Sequence, residues 1–159
     1  MLGRRIIYGC EGRGDGDSPY LTRYTLLSTP WFHLCIHVFH RSDADELHDH
    51  PWPFASLILW GGYIEESASK HAADMDRSTG EGFHRMVHCE RLYKRTRREM
   101  IRPGRLIVRS AEHAHRVELI DGRKAVTLVL MGRKKRSWGF FTSAGWEHWR
   151  EYFLRRGCR

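Results

Sequence analysis

His48 and His50 are separated by one residue in Leu47-His48-Asp49-His50-Pro51-Trp52. On extended backbone, side chains two apart share a face. Both imidazoles can therefore meet one point, while Asp49 between them turns away. Imidazole is the commonest side-chain ligand of transition metals. Its bonds to such ions are short, about 2.0–2.1 Å for zinc, so a further ligand must come from a segment facing the pair. Gly104 to His115 (GRLIVRSAEHAH) offers His115 as the third imidazole. His113, two residues earlier on the same strand face, is its competitor. Three neutral nitrogens on a six-coordinate ion leave positions open for a substrate and dioxygen together.

Other side chains could contact what binds there. Ser56 is in phase with His48 and His50, among Trp52, Phe54, Ile58 and Trp60. Ser56 and Trp60 are thus candidates for a pocket wall, although a small polar residue there can also simply relieve crowding. Arg109 and Arg136 are candidate clamps for a carboxylate or phosphate, which guanidinium binds bidentately. A solvated surface role suits any single arginine as well. Trp138, Trp146 and Trp149 beside basic residues could stack nucleobases, but their spacing fits core packing better.

The elements that must position these groups are mostly strands. Trp31 to His40 (WFHLCIHVFH) alternates. Its apolar face, Phe32, Leu34, Ile36 and Val38, is expected to meet the core; its mixed face, His33, Cys35, His37 and Phe39, is expected to line a cavity. Phe54 to Trp60 is an apolar strand ended by Gly61-Gly62, and Tyr63 to Glu66 starts a return strand. Tyr20 to Leu27, Arg105 to Arg109, His113 to Leu119 and Lys124 to Met131 also read as strands, the last buried on both faces. Pro103-Gly104 and Asp121-Gly122 mark turns. Met1 to Ser18 holds a short apolar patch, Ile6-Ile7-Tyr8, and then an acidic, glycine-rich loop. Ser67 to Gly82 is small, polar and unpatterned, which predicts a surface loop or flap. After Ser143 as N-cap, Trp146, Trp149, Phe153 and Leu154 share a helical face. About eight to ten short strands and one helix predict a mainly β sandwich or barrel, with the barrel over 20–141, the helix over 144–156, and a single domain across 1–159.

A chain of 159 residues can bury a core of its own, and 41% hydrophobic with 12% aromatic residues excludes a disordered chain. Lysine and arginine number 27 against 19 acids, a formal net charge of +8. The excess favours anionic partners, from nucleic acid to phosphorylated or carboxylated small molecules, or serves only solubility. Cys10, Cys35, Cys89 and Cys158 form no C-x-x-C pair and read as reduced thiols of a cytoplasmic protein. Met1 to Tyr8 lacks the apolar stretch of a signal peptide, and no run approaches the roughly 20 apolar residues of a membrane span.

The histidine segments resemble the two motifs of the cupin superfamily. The first motif, H-x-H followed by a glutamate and then a glycine, is carried by His48, His50 and Gly61 or Gly62. The second, G-x5-P-x-G-x2-H, starts at Gly104 and ends on His115, with Ser110 and Glu112 at its proline and glycine positions. Seven residues before Gly61 or Gly62 stand Phe54 or Ala55, so the motif glutamate is missing. Glu65, Glu66 and Glu112 could restore a carboxylate, though none is at the motif position. The match resembles the three-histidine centre of the thiol dioxygenase branch. The wider phrasing, YLTRYTLL, LHDHPW, LILWGGY, HRVEL, WGFF and GWEHWREY, is similar to a small cupin-like family of tailed phages and bacteria with no settled activity.

The resemblance implies a cupin-type double-stranded β-helix, or jelly-roll barrel, with a C-terminal helix. It implies one divalent transition metal on His48, His50 and His115, with Fe2+ favoured and Zn2+, Mn2+ or Ni2+ as alternatives. It also implies a homodimer and a place in the cytoplasm of a bacterium or a phage-infected bacterial cell. Three functions are compatible with the residues. The first is a mononuclear iron oxygenase acting on a small polar or anionic substrate. The second is a metal-dependent isomerase or hydrolase of a phosphosugar or nucleotide. The third is a non-catalytic module that binds a small molecule or nucleic acid through its basic surface.

Overall fold

The computed structural model describes residues 3–43, 46–68 and 96–158. The strands among them are β1 (Gly3–Tyr8), β2 (Pro19–Ser28), β3 (His33–Phe39), β4 (Leu47–His48), β5 (Phe54–Trp60), β6 (Tyr63–Ala68), β7 (Thr96–Ile101), β8 (Leu106–Arg109), β9 (His115–Leu119), β10 (Ala125–Met131), β11 (Gly139–Thr142) and β12 (Gly145–His148), followed by helix α1 (Trp149–Arg155). They form two six-stranded sheets, ordered β1-β2-β3-β10-β5-β8 and β12-β11-β4-β9-β6-β7, with antiparallel pairing throughout. From β3 to β6, and again from β8 to β11, successive strands switch sheets. That path is a jelly-roll barrel, and it makes β4 and β9 neighbours although the chain visits the other sheet between them.

The turn that carries β5 of one sheet into β6 of the other is Gly61-Gly62, at φ 79° and 82°. Both are left-handed conformations that glycine adopts without strain, and a Cβ on Gly61 would stand 2.2 Å from the Lys124 carbonyl oxygen. The core lies between the sheets. Ile58, Tyr63, Ile101, Ile107, Val117, Leu119 and Ala125 form one cluster; Cys35, Val129 and Met131 form another, against Trp52 and Phe54.

Two expectations about faces are corrected. On β3 the mixed face turns inward and lines a cavity as expected, through His37 and Phe39, but the apolar face does not meet the core: Leu34, Ile36 and Val38 are only half-buried. On β10, Ala125, Thr127, Val129 and Met131 are buried and Leu130 is exposed, so that strand is not buried on both faces. The reason is shared: no helix covers the outside of this sheet among the described residues, and an antiparallel sheet needs only one covered face. Its exterior is apolar nonetheless, with Ile36, Leu128, Leu57 and Leu106 aligned in register across four strands.

The chain's two ends also depart from expectation. Trp146 belongs to β12, which pairs with β11 from Gly139↔His148 to Thr142↔Gly145, so the helix spans only Trp149–Arg155. Its N-cap is His148, which accepts a hydrogen bond from the Arg150 amide, not Ser143. Ile6-Ile7-Tyr8 is the end of a full strand, β1, paired with β2. Cys10 and Cys158 form a disulfide across 148 residues of sequence, which corrects the expectation of reduced thiols for these two; Cys35 is a free, buried thiol. Ser67 and Ala68, expected in a loop, extend β6; the rest of that loop, and Cys89, lie outside the described residues. No helix is long and apolar enough to cross a membrane among the described residues.

Candidate metal centre

β4 is two residues long, yet it is paired on both sides: His48 lies opposite Phe140 of β11 and opposite His115 of β9. Cross-strand partners project to the same face of a sheet, so the His48 and His115 rings sit 5.3 Å apart. His50 lies past the strand, where its backbone N–H donates to the Ala111 carbonyl at 2.9 Å. Its ring packs 4.9 Å from that of Phe54. His50 Nε2 comes within 2.8 Å of His115 Nε2, and one nitrogen of each of the three histidines lies within 4.8 Å of the others.

His115 Nδ1 donates to Glu65 Oε1 at 2.7 Å. That bond fixes the tautomer and leaves the lone pair on Nε2, facing His50. Metal-bound histidines generally donate their other nitrogen in this way. Glu65 comes from β6, beside β9, with Ser67 directly opposite His115. Arg109, reaching across from β8, closes on the carboxylate with both Nε (3.1 Å) and Nη2. His113 Nε2 stands 3.3 Å from the same Oε1. Burial alone would raise the pKa of Glu65, but His113, His115 and Arg109 outweigh it and hold the carboxyl well below the usual range. Burial pushes His50 well below its ordinary value, reinforced by His115 and His48. Burial also lowers His115, partly offset by Glu65. Both are neutral imidazoles, the form that binds metals.

Asp49 points away from the cluster, as its place between the histidines requires, and is fully buried. It accepts from the Gly139 amide at 2.8 Å and Trp146 Nε1 at 3.1 Å, and pairs with Arg136 Nη1 at 2.9 Å. Its pKa is raised by burial against these donors. The carboxylate thus fastens the short β4 to β11 and β12.

A transition-metal ion fits this donor set. Two nitrogens at right angles about one ion, each at about 2.0–2.1 Å, would lie roughly 2.9 Å apart, close to the 2.8 Å between His50 and His115. A second grouping, Glu65, His113 and His115, also brings three donor atoms within 4.8 Å of one another. With the Nδ1 proton given to Glu65, the Nε2 lone pair of His115 serves the three-histidine set.

The cluster opens into a cavity of about 1030 Å³ inside the barrel, with Ser56 buried in its wall. The structure does not bring the other expected contacts there. Trp60 is 58% exposed, because a register shift between Val126 and Thr127 pairs them with Trp60 and Ile58 and breaks the alternation that put Trp60 in phase. Arg109 and Arg136 are not free clamps: Glu65 and Asp49 hold them. His113 precedes β9 and reaches Glu65 rather than the three nitrogens. Glu112 is exposed, and Glu66 pairs with Arg116 at 3.0 Å. Trp138 lines the cavity and stacks on Trp149, their centroids 6.0 Å apart and 9° from parallel. From sequence Glu65 stood only as a possible substitute ligand; its role as the hydrogen-bond partner of His115 follows from the pairing of β6 with β9, which leaves no local trace in the sequence.

No family model matches the sequence, and no curated protein does. Solved structures do match. A cupin-2 domain protein from Rhodospirillum rubrum aligns at TM-score 0.57 and 12% identity, over 91% of this chain and 80% of that one. The DMSP lyase DddQ from Ruegeria pomeroyi DSS-3 aligns at TM-score 0.52 and 15% identity, over 88% of this chain and 63% of the lyase. Fe(II)-bound HppE, in complex with substrate, aligns at TM-score 0.52 and 11% identity, over 80% of this chain and 56% of that one. With the jelly-roll topology, these likenesses define the class: the chain has the cupin fold. The link with phages gains no support from them.

Proposed function

We propose that the protein is a metal-dependent enzyme, a mononuclear non-heme iron oxygenase acting on a small polar or anionic molecule held in the barrel. The observation that carries this reading is the convergence of His48, His50 and His115, with His115 held in its metal-binding tautomer by Glu65. Fe2+ is the favoured ion, ahead of Zn2+, Mn2+ and Ni2+. When bound, it supplies open coordination positions for substrate and dioxygen. The chain's own residues hold the His50 and His115 imidazoles neutral, fix the direction of His115, and wall the site with Trp52, Phe54, Trp138 and Phe140. The substrate-bound Fe(II) state of the similar HppE supports the choice of iron.

The runner-up is a metal-dependent isomerase or hydrolase. It needs a free general base, and the buried carboxylate nearest the histidines, Glu65, is already engaged by His115 and Arg109. Elemental analysis of the purified protein, followed by turnover with and without oxygen, separates the two. One equivalent of iron and oxygen-dependent turnover, lost in His115→Ala, support the oxygenase. Turnover that persists without oxygen supports the runner-up, and a protein that binds none of the four ions removes both. The apolar exterior of the first sheet would carry a homodimer; Val108→Asp, at a position 68% exposed, is then expected to give a monomer in sedimentation.

A further inference from the structure

Two arginines on the wall of the barrel cavity have no acidic partner among the described residues. Arg5 and Arg23 are register partners on β1 and β2, and both line the same cavity as the histidine cluster. Arg23 Nε donates to Nε2 of His37 at 3.0 Å, which uses one of the five guanidinium N–H groups. The other arginines on this cavity have partners. Arg13 and Arg41 face Asp15 at 3.5 and 2.6 Å, and Arg150 lies over the Trp149 ring at 5.1 Å. Asp43, also on the wall, pairs with neither of them; it accepts from the Tyr20 hydroxyl and, at 2.7 Å, from the Val117 amide.

His37 fits the part of a neutral acceptor that aims the guanidinium. It is 8% exposed, and burial together with the Arg23 charge pushes its pKa down to about 3. It is also close enough to His50 to act on that residue's charge, so the arginine pair and the histidine cluster share one chamber. Burial lowers the pKa of Arg23 too, with Arg5 adding to the effect. An unpaired cation out of bulk water destabilises a fold, whereas a planar fork with free N–H groups binds an oxyanion in two-point geometry.

We propose that Arg23, aimed by His37 and reinforced by Arg5, is an oxyanion subsite that receives the carboxylate or phosphate group of the molecule whose other end meets the histidine cluster. The second half of that statement rests on the metal-centre reading; the subsite itself does not. It also gives the substrate a shape: an acid with its reacting group at the end remote from the charge.

The test titrates inorganic phosphate and acetate separately into the full-length protein, as purified and again after loading with Zn2+, reading heat of binding and melting temperature. Saturable binding of one anion per chain is expected, weakened at least tenfold in Arg23→Gln and less in Arg5→Gln. Arg23→Lys, which keeps the charge but loses the fork, is expected to retain weaker binding than wild type. In anion-free buffer Arg23→Gln is expected to melt higher than wild type, with Zn2+ affinity unchanged. Preference for phosphate or for acetate identifies which oxyanion the subsite takes. Undiminished anion binding in both Arg23 variants, or no binding to wild type in either state, overturns the proposal. Anion binding that depends on Arg23 in a protein that takes up no metal upholds the subsite and removes the metal reading.

Discussion

Glu65 is a carboxylate on β6 whose oxygen accepts the Nδ1 proton of His115 on the neighbouring β9, 2.7 Å away. Arg109, reaching from the opposite sheet, closes on the same carboxylate. One buried acid therefore ties together both sheets and the His115 imidazole of the candidate centre. Glu65→Gln keeps the shape but loses the charge and lets the ring choose its tautomer. Replacing such outer partners typically costs about 10–100-fold in metal affinity, and that loss is expected in competition titrations against a chelator. Glu65→Ala leaves Arg109 and His115 without their anion, and a stability loss of about 3–5 kcal/mol is expected from urea melts. Unchanged metal affinity in Glu65→Gln would show that the carboxylate serves the barrel alone.

The individual histidines should not be equal. His48→Ala, His50→Ala and His115→Ala are each expected to abolish stoichiometric metal uptake, because two imidazoles with no third ligand hold an ion weakly. His113→Ala removes only a neighbour of Glu65 and is expected to retain uptake with a modest loss of affinity. Elemental analysis of the four variants side by side checks this order; full metal loss in His113→Ala would instead favour the site built on Glu65, His113 and His115.

Acid should unfold the metal-free protein early. His37, His50 and His115 have folded pKa values below their ordinary 6.5. Below about pH 6.5 the unfolded chain therefore binds more protons than the folded one, and stability falls as pH falls. Glu65, depressed below its ordinary 4.5, adds to the loss at lower pH, since the unfolded chain protonates it first. Above pH 7 these groups contribute no slope. Melts at pH 5, 6, 7 and 8 should show a plateau and then a decline of up to about 1.4 kcal/mol per pH unit for each such histidine. His37→Gln should reduce that decline between pH 6 and 5; a slope unchanged by it would contradict the burial of a neutral His37.

Reduction should loosen the chain ends. Closing a loop of 148 residues stabilises a fold by about 2–5 kcal/mol in the chain-entropy account. Cys158→Ser, or wild type in reductant, is expected to lose stability in that range without losing the histidine cluster. Peptide mapping under non-reducing conditions should recover Cys10 linked to Cys158, and recovery of both as free thiols from oxidised protein would refute the pairing.

Much of the site was legible because spacing carries it. His48, His50 and His115 were marked by alternation and by the distance from Gly104, and Ser56 by phase. What could not be read depends on pairing across sheets. The motif count looked for a carboxylate ligand near Phe54, whereas Glu65 acts from another strand through His115. In a chain of net charge +8, composition does not say which arginine meets an acid; Arg109 and Arg136 are matched with acids, and Arg23 has none among the described residues. Trp60 was misplaced by a single register shift, which turns every following side chain over. Trp146 suited a helix by spacing, but Gly145, at φ 125°, turns the chain into the β11–β12 hairpin. The cysteine pairing spans nearly the whole chain and leaves no local trace.

The alternation of strands between the two sheets has a further consequence. His50 and His115 are 65 residues apart in sequence, and the chain between them visits the opposite sheet at β5 and β8. No contiguous fragment short of that span can assemble the three nitrogens, so an ion bound there acts on the whole barrel at once. Its binding energy adds to global stability rather than to any local segment. Loading the centre is then expected to raise the unfolding free energy of the entire β-roll, read alike by probes on either sheet.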